Sequence, residues 1–207
     1  MSLFNFLKKK DHSKYSQSGQ DKFAYNLSGR KGFYLEIGAS HPLNDSNTYR
    51  LEIDCEWKGL SVEYNKHFKQ FWDQCPERLN EIIWKDAFDI DYEALVKENK
   101  IPKKINYLSC DIEPPEKTFN ILKKIINQNL KFDFISFEHD KYKIGNKYEI
   151  LSEEFLLKKN YKVAIRNVYS RSKKYKIYET WFVHKSISFN EISYKAWLDK
   201  NYKNNNF

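Results

Sequence analysis

The stretch GFYLEIG (32–38) most constrains what this chain can become. It is a short apolar run closed by a glycine, the pattern of a buried strand that ends in a sharp turn. A strand buried on both sides needs helices to cover it, and the rest of the sequence supplies them in alternation. Helical spacing over 46–57 precedes a second strand, GLSVEY (59–64), and helical spacing over 67–75 precedes a third, LNEIIWKDA (79–87). A helix over 91–99 stops before Pro102 and leads to INYLSCDI (105–112). The next helix starts at Pro115, a residue suited to the first helical position, and gathers Phe119, Leu122 and Ile126 on one face. A strand over 131–139 and a helix over 148–160 follow. Two adjacent β-rich runs, 161–168 and 176–185, are then joined by the polar turn YSRSKKY. A lead-in helix over 17–27, ended near Gly29, and a terminal helix over 193–200 complete the order.

Repeated β-α units imply a parallel sheet with right-handed crossovers and helices on both faces. The closing β-hairpin inserts one antiparallel strand. The expected fold is therefore α/β and Rossmann-like, a seven-stranded, mostly parallel sheet with a C-terminal β-hairpin. No internal repeat or Pro/Gly/Ser-rich linker divides the chain. Residues 16–200 read as a single domain, 1–15 as a flexible N-terminal arm and 201–207 as a frayed tail.

Composition removes several classes. No apolar run approaches the roughly 18–20 residues of a membrane span. The five-residue apolar patch at the N-terminus precedes Lys8–Lys10, the reverse of a signal peptide, so a soluble, cytoplasmic protein is expected. Cys55, Cys75 and Cys110 are odd in number and widely spaced, which argues against a disulfide framework or a thiolate zinc site. The net charge of +8 permits an anionic partner. Its lysines are scattered, however, and no dense arginine stripe marks nucleic acid as the main partner.

In a sheet of this kind ligands sit at the carboxyl ends of the strands. Gly38 turns the backbone out of the first strand and leaves room for a ligand to approach, and Glu36 is placed to accept a bond from an ammonium group. Ser40 and Leu43 stand where a dinucleotide loop carries its later glycines, so no pyrophosphate cradle is present. Glu63 ends the second strand, where a carboxylate receives both hydroxyls of a ribose. Asp86 and Ala87 end the third, a carboxylate and a small residue suited to adenine and its amino group. A ribose and an adenine without a pyrophosphate site point to S-adenosylmethionine.

The stretches SQSGQDKF (16–23), GFYLEIGASHPLNDSNTYRLE (32–52), WKGLSVE (57–63), INYLSCDIEPPE (105–116) and FDFISFEHDKY (132–142) together resemble the FkbM-type methyltransferases of class I. The resemblance implies that Glu36, Gly38 and Ala39 contact the methionine part of the cofactor, Glu63 its ribose and Asp86 its adenine. It also implies that Ser46, Asn47 and Thr48, at the start of the first helix after the glycine turn, approach the cofactor carboxylate. Gln17, Gln20 and Asp21 would close the pocket from the lead-in helix. The sequence departs from the family at Glu36, where aspartate is usual, at Ser40–Pro42 in the loop, and at Pro114–Pro115, where a glycine is usual.

Asp111 and Glu113 end the fourth strand, and Glu138, His139 and Asp140 end the fifth. Such a group has three readings: ligands of Mg²⁺ or Mn²⁺ through Asp111, His139 and Asp140, a general base at His139 or Asp140, or a structural cluster. The related macrocin-type O-methyltransferases, which bind a metal at these two strand ends, look similar here but carry two aspartates where this chain has His139 and Asp140. The resulting expectation is an S-adenosylmethionine-dependent O-methyltransferase. It would act on a hydroxyl of a small molecule, such as a sugar or glycan component, with His139, Asp140 and Asp111 as catalytic residues. The alternatives are a non-catalytic cofactor-binding module and a nucleic-acid methyltransferase.

Overall fold

The computed structural model describes residues 16–170 and 176–202. The expected arm, the middle of the hairpin turn and most of the expected tail lie outside the described residues. Five β-α steps run from α1 (Gln20–Ser28), β1 (Phe33–Ile37), α2 (Tyr49–Cys55), β2 (Lys58–Glu63), α3 (Lys69–Asp73), β3 (Glu81–Trp84) and α4 (Tyr92–Lys97) to β4 (Lys104–Cys110), α5 (Pro115–Asn127) and β5 (Lys131–Glu138). They are followed by α6 (Lys141–Ile144), α7 (Lys147–Lys158), the hairpin β6 (Tyr161–Tyr169) and β7 (Ile177–His184), then β8 (Ile192–Ser193) and α8 (Tyr194–Tyr202).

The sheet order is β3-β2-β1-β4-β5-β7-β6-β8. Strands β1 to β5 are mutually parallel, and β7 lies antiparallel between β5 and β6. The sheet has eight strands rather than the expected seven, because Ile192–Ser193 add a two-residue edge parallel to Ile165–Arg166. Two residues are too short to show a period-2 pattern, so this strand has no signature in the sequence.

Alternation along the strands divides the core into two layers. Leu35, Ile37, Leu108, Ile135 and Phe137 face one side, where Ile121, Leu122 and Ile125 of α5 cover them. Tyr34, Tyr107, Phe134 and Trp181 face the other, packed by Phe23 of α1 and Trp197 of α8. Each fully buried large apolar side chain contributes roughly 1.5–3 kcal/mol of transfer free energy. The α2 helix starts three residues later than the sequence spacing predicts. The Ser46 hydroxyl accepts from the backbone N–H groups of Thr48 (3.4 Å) and Tyr49 (3.1 Å), holding residues 46–48 in a turn. Among the described residues no helix is long and apolar enough to cross a membrane.

Candidate active site

The first strand turns out of the sheet at Gly38, whose φ is +86°. A Cβ there would lie 1.6 Å from the Asp111 carbonyl oxygen, so the space a glycine leaves is taken by the backbone just after β4. The N–H groups of Gly38 and Ala39 both donate to the Val62 carbonyl, at 3.0 and 3.2 Å. Ala39 is buried. These two residues fix where the loop leaves the sheet.

Glu36 is buried, and its Oε2 accepts from Thr48 (2.9 Å) and Ser61 (2.8 Å). Burial pushes its carboxyl above the usual range, and the Arg78 guanidinium 3.7 Å away works against that rise. Arg78, a residue the sequence pattern does not single out, is the hub of this region. It donates to Glu52 (2.8 Å), the Pro42 carbonyl (2.9 Å), Ser46 (3.1 Å), Thr48 (3.0 Å) and Tyr34 (3.2 Å), and it lies over the Trp72 ring. The loop from Ser40 to Thr48, which has no glycine, is thus held from behind by one arginine fork. Asn47 lies on the loop with its Nδ2 donating to Ser109 of β4 at 3.0 Å. Its Oδ1 is buried and has no hydrogen-bond partner among the described residues.

At the end of β2 the two oxygens of Glu63 accept from Ser40 N–H (2.8 Å) and Asn65 N–H (2.6 Å), which orients the carboxylate at the strand end. Asp86 accepts from Phe88 N–H at 2.9 Å and opens a one-turn 3₁₀ helix that buries Ala87. The lead-in segment is tied to the hairpin. Gln20 donates to Tyr178 (3.0 Å) and Glu179 (2.9 Å), while its Oε1 accepts from Ser16 and Ser18. Gln17 is half-buried, and Asp21, also buried, accepts from Lys22 N–H at 2.7 Å.

The ends of β4 and β5 bring carboxylates together. The Asp111 and Glu138 carboxyls lie side by side and influence each other's charge. Burial pushes Asp111 up to about 6, and it pushes Glu138, which also faces the Asp111 charge, well above the carboxylate range. Glu179, opposite Glu138 in the antiparallel pair, is pushed up to about 8 by burial, with the Trp181 indole N–H (2.7 Å) opposing the shift.

His139 is fully buried, and burial drives its pKa down to about 4. Its Nδ1 accepts from Lys141 N–H (3.2 Å), which leaves the proton on Nε2 facing the Thr180 hydroxyl at 3.1 Å. Asp140 is buried beside it, with Oδ2 2.6 Å from the Lys143 ammonium and Oδ1 buried without a partner among the described residues. The set expected for a metal, Asp111, His139 and Asp140, is not the set brought together. Among the described residues the ligand atoms that converge, all within 4.8 Å, belong to Glu113, Glu138 and Asp140. His139 is turned away because both its nitrogens are engaged within the protein.

The strand order with β7 inserted antiparallel between β5 and β6 decides the fold. This is the α/β fold of the class I methyltransferases. Solved structures share it at low identity. Fibrillarin of Aeropyrum pernix, with natively bound S-adenosyl-L-methionine, is 13% identical with a TM-score of 0.52, over 81% of this chain and 76% of that one. The human methyltransferase 10 domain containing protein is 14% identical with a TM-score of 0.52, over 80% of each chain. Sp1610 of Streptococcus pneumoniae, a candidate tRNA (m1A22) methyltransferase in complex with S-adenosyl-L-methionine, is 9% identical with a TM-score of 0.54, over 84% and 74%. At these identities the likeness concerns the fold. No family model and no curated protein matches the sequence.

Sequence reasoning missed Arg78, Glu179 and Lys143 as parts of this region. Arg78 falls between two elements where no periodicity operates. Lys143 sits in the short α6, whose four residues carry no helical pattern of their own. Glu179 shows one signal, a lone carboxylate inside the apolar run IYETWFV.

Proposed function

We propose that this chain is an S-adenosylmethionine-dependent methyltransferase of the FkbM type that methylates a hydroxyl of a small acceptor, such as a sugar. The observation that carries the reading is the orphaned Asn47 Oδ1, a buried acceptor between the β1 loop and β4 in a methyltransferase fold. It fits the ammonium of the methionine part, while Ser46 and Thr48 shape the same turn. Glu63, oriented by Ser40 and Asn65, retains lone pairs for the ribose hydroxyls. Asp86 and Ala87 lie at the adenine end, and Gln17, Gln20 and Asp21 close the other. Fibrillarin and Sp1610 hold the same cofactor in the same fold.

When bound, the cofactor supplies an electrophilic methyl group on its sulfonium. The protein's part is to align the acceptor and take up its proton. Asp140, whose Oδ1 has no partner among the described residues, receives that proton as the oxygen–methyl bond forms, and the Asp111–Glu138 pair lies beside it. His139 orients the strand end and Thr180 rather than acting as the base.

A second reading, an RNA acceptor, draws on the net charge of +8 and on the tRNA named for Sp1610. Methyl-labelled S-adenosylmethionine separates the two when supplied with free monosaccharides or with RNA at about 50 and 200 mM salt. The proposal expects labelled sugar at a rate little changed by salt. Labelled RNA, lost steeply as salt rises, would establish the second reading instead.

A further inference from the structure

We infer that Lys143 is a built-in cation seated among the carboxylates at the ends of β4 and β5, in the place a divalent metal ion would take, so that this cluster works without a metal. The Lys143 ammonium lies 2.7 Å from Glu113 Oε1 and 2.6 Å from Asp140 Oδ2, two of the three groups whose oxygens converge within 4.8 Å. Its three N–H donors and compact charge satisfy two carboxylates at once.

The Lys143 ammonium supplies positive charge at the point where Glu113 and Asp140 converge, which a divalent ion would otherwise supply. Burial of Asp140, 1% exposed, makes such compensation necessary.

The local backbone is built to deliver the lysine. Asp140 adopts a left-handed φ of +48°, and its carbonyl accepts from Lys143 N–H at 2.8 Å. The single turn of α6 therefore folds residue 143 back over residue 140, the i,i+3 spacing at which side chains meet. Gly145, at φ +79°, ends the turn. The inference rests on the proposed reading of these strand ends as the transfer site. Its test needs neither cofactor nor acceptor, so the two fail separately.

The test is a calorimetric titration of Mn²⁺ into the full chain, with Lys143→Met and Lys143→Arg beside it. Wild type and Lys143→Arg are expected to show no binding tighter than roughly 0.1 mM, the weak end of oxygen-ligand sites. Lys143→Met, its carboxylates freed, binds at least about tenfold more tightly and melts at a higher temperature with Mn²⁺ present. Lys143→Gln serves under the same criterion if the methionine variant does not fold. Wild-type binding tighter than about 0.1 mM overturns the inference, as does a folded neutral variant that binds no better than wild type.

Discussion

At the scale of single residues, environment decides which of two adjacent groups acts. His139 and Asp140 are neighbours at one strand end, and both are buried. The histidine has both nitrogens engaged and its pKa lowered to about 4, whereas the aspartate keeps one oxygen without a partner among the described residues. Asp140→Asn is therefore expected to lower turnover by roughly 10² or more while cofactor affinity changes less than about threefold. Unchanged turnover would remove Asp140 from the reaction.

His139 has a separate signature in stability. Its folded pKa lies below its ordinary value, so the unfolded chain takes up the proton first as pH falls. The stability it contributes is present above pH 6.5 and is lost between 6.5 and about 4. The loss amounts to roughly 3–4 kcal/mol at about 1.4 kcal/mol per unit. Denaturant melts of wild type and His139→Gln across that window check this: the variant has a flatter profile, and parallel profiles would contradict the assignment.

At the scale of elements, the loop after β1 is held by side chains rather than by glycines. The expected open glycine turn is instead a loop clamped by Arg78 against Glu36, Glu52 and Ser46. The side chains of Arg78, Glu36 and Glu52 are all nearly inaccessible. Removing the cation leaves buried carboxylates uncompensated. Arg78→Met is expected to cost roughly 3–5 kcal/mol, a fall in Tm on the order of 10 °C. Adding Glu36→Gln should restore part of it. A Tm unchanged by Arg78→Met would show that the clamp carries no weight.

The same loop marks the limit of what the sequence discloses. Strands β1, β2, β4 and β5 and helix α5 are legible because periodicity and Pro115 report burial directly. The strand-end carboxylates are legible because their position follows from the strands. Arg78 and Lys143 are not, because a partnership between a loop cation and a distant carboxylate leaves no periodic trace. The two-residue β8 and four-residue α6 are too short to leave one.

At the scale of the whole molecule, the sheet order sets one edge, the carboxyl ends of β1 to β5, as the place where chemistry-bearing residues accumulate. Asn47, Glu63, Asp86, Asp111 and Asp140 all lie along it, contributed by the ends of different strands or the loops that follow them. The most direct test of the account is calorimetric titration of the full chain with S-adenosylmethionine and S-adenosylhomocysteine, wild type beside Asn47→Leu. The account predicts micromolar binding to wild type, weakened about tenfold in Asn47→Leu by loss of one buried hydrogen bond to a charged group. No binding of either compound by folded wild-type protein would contradict it.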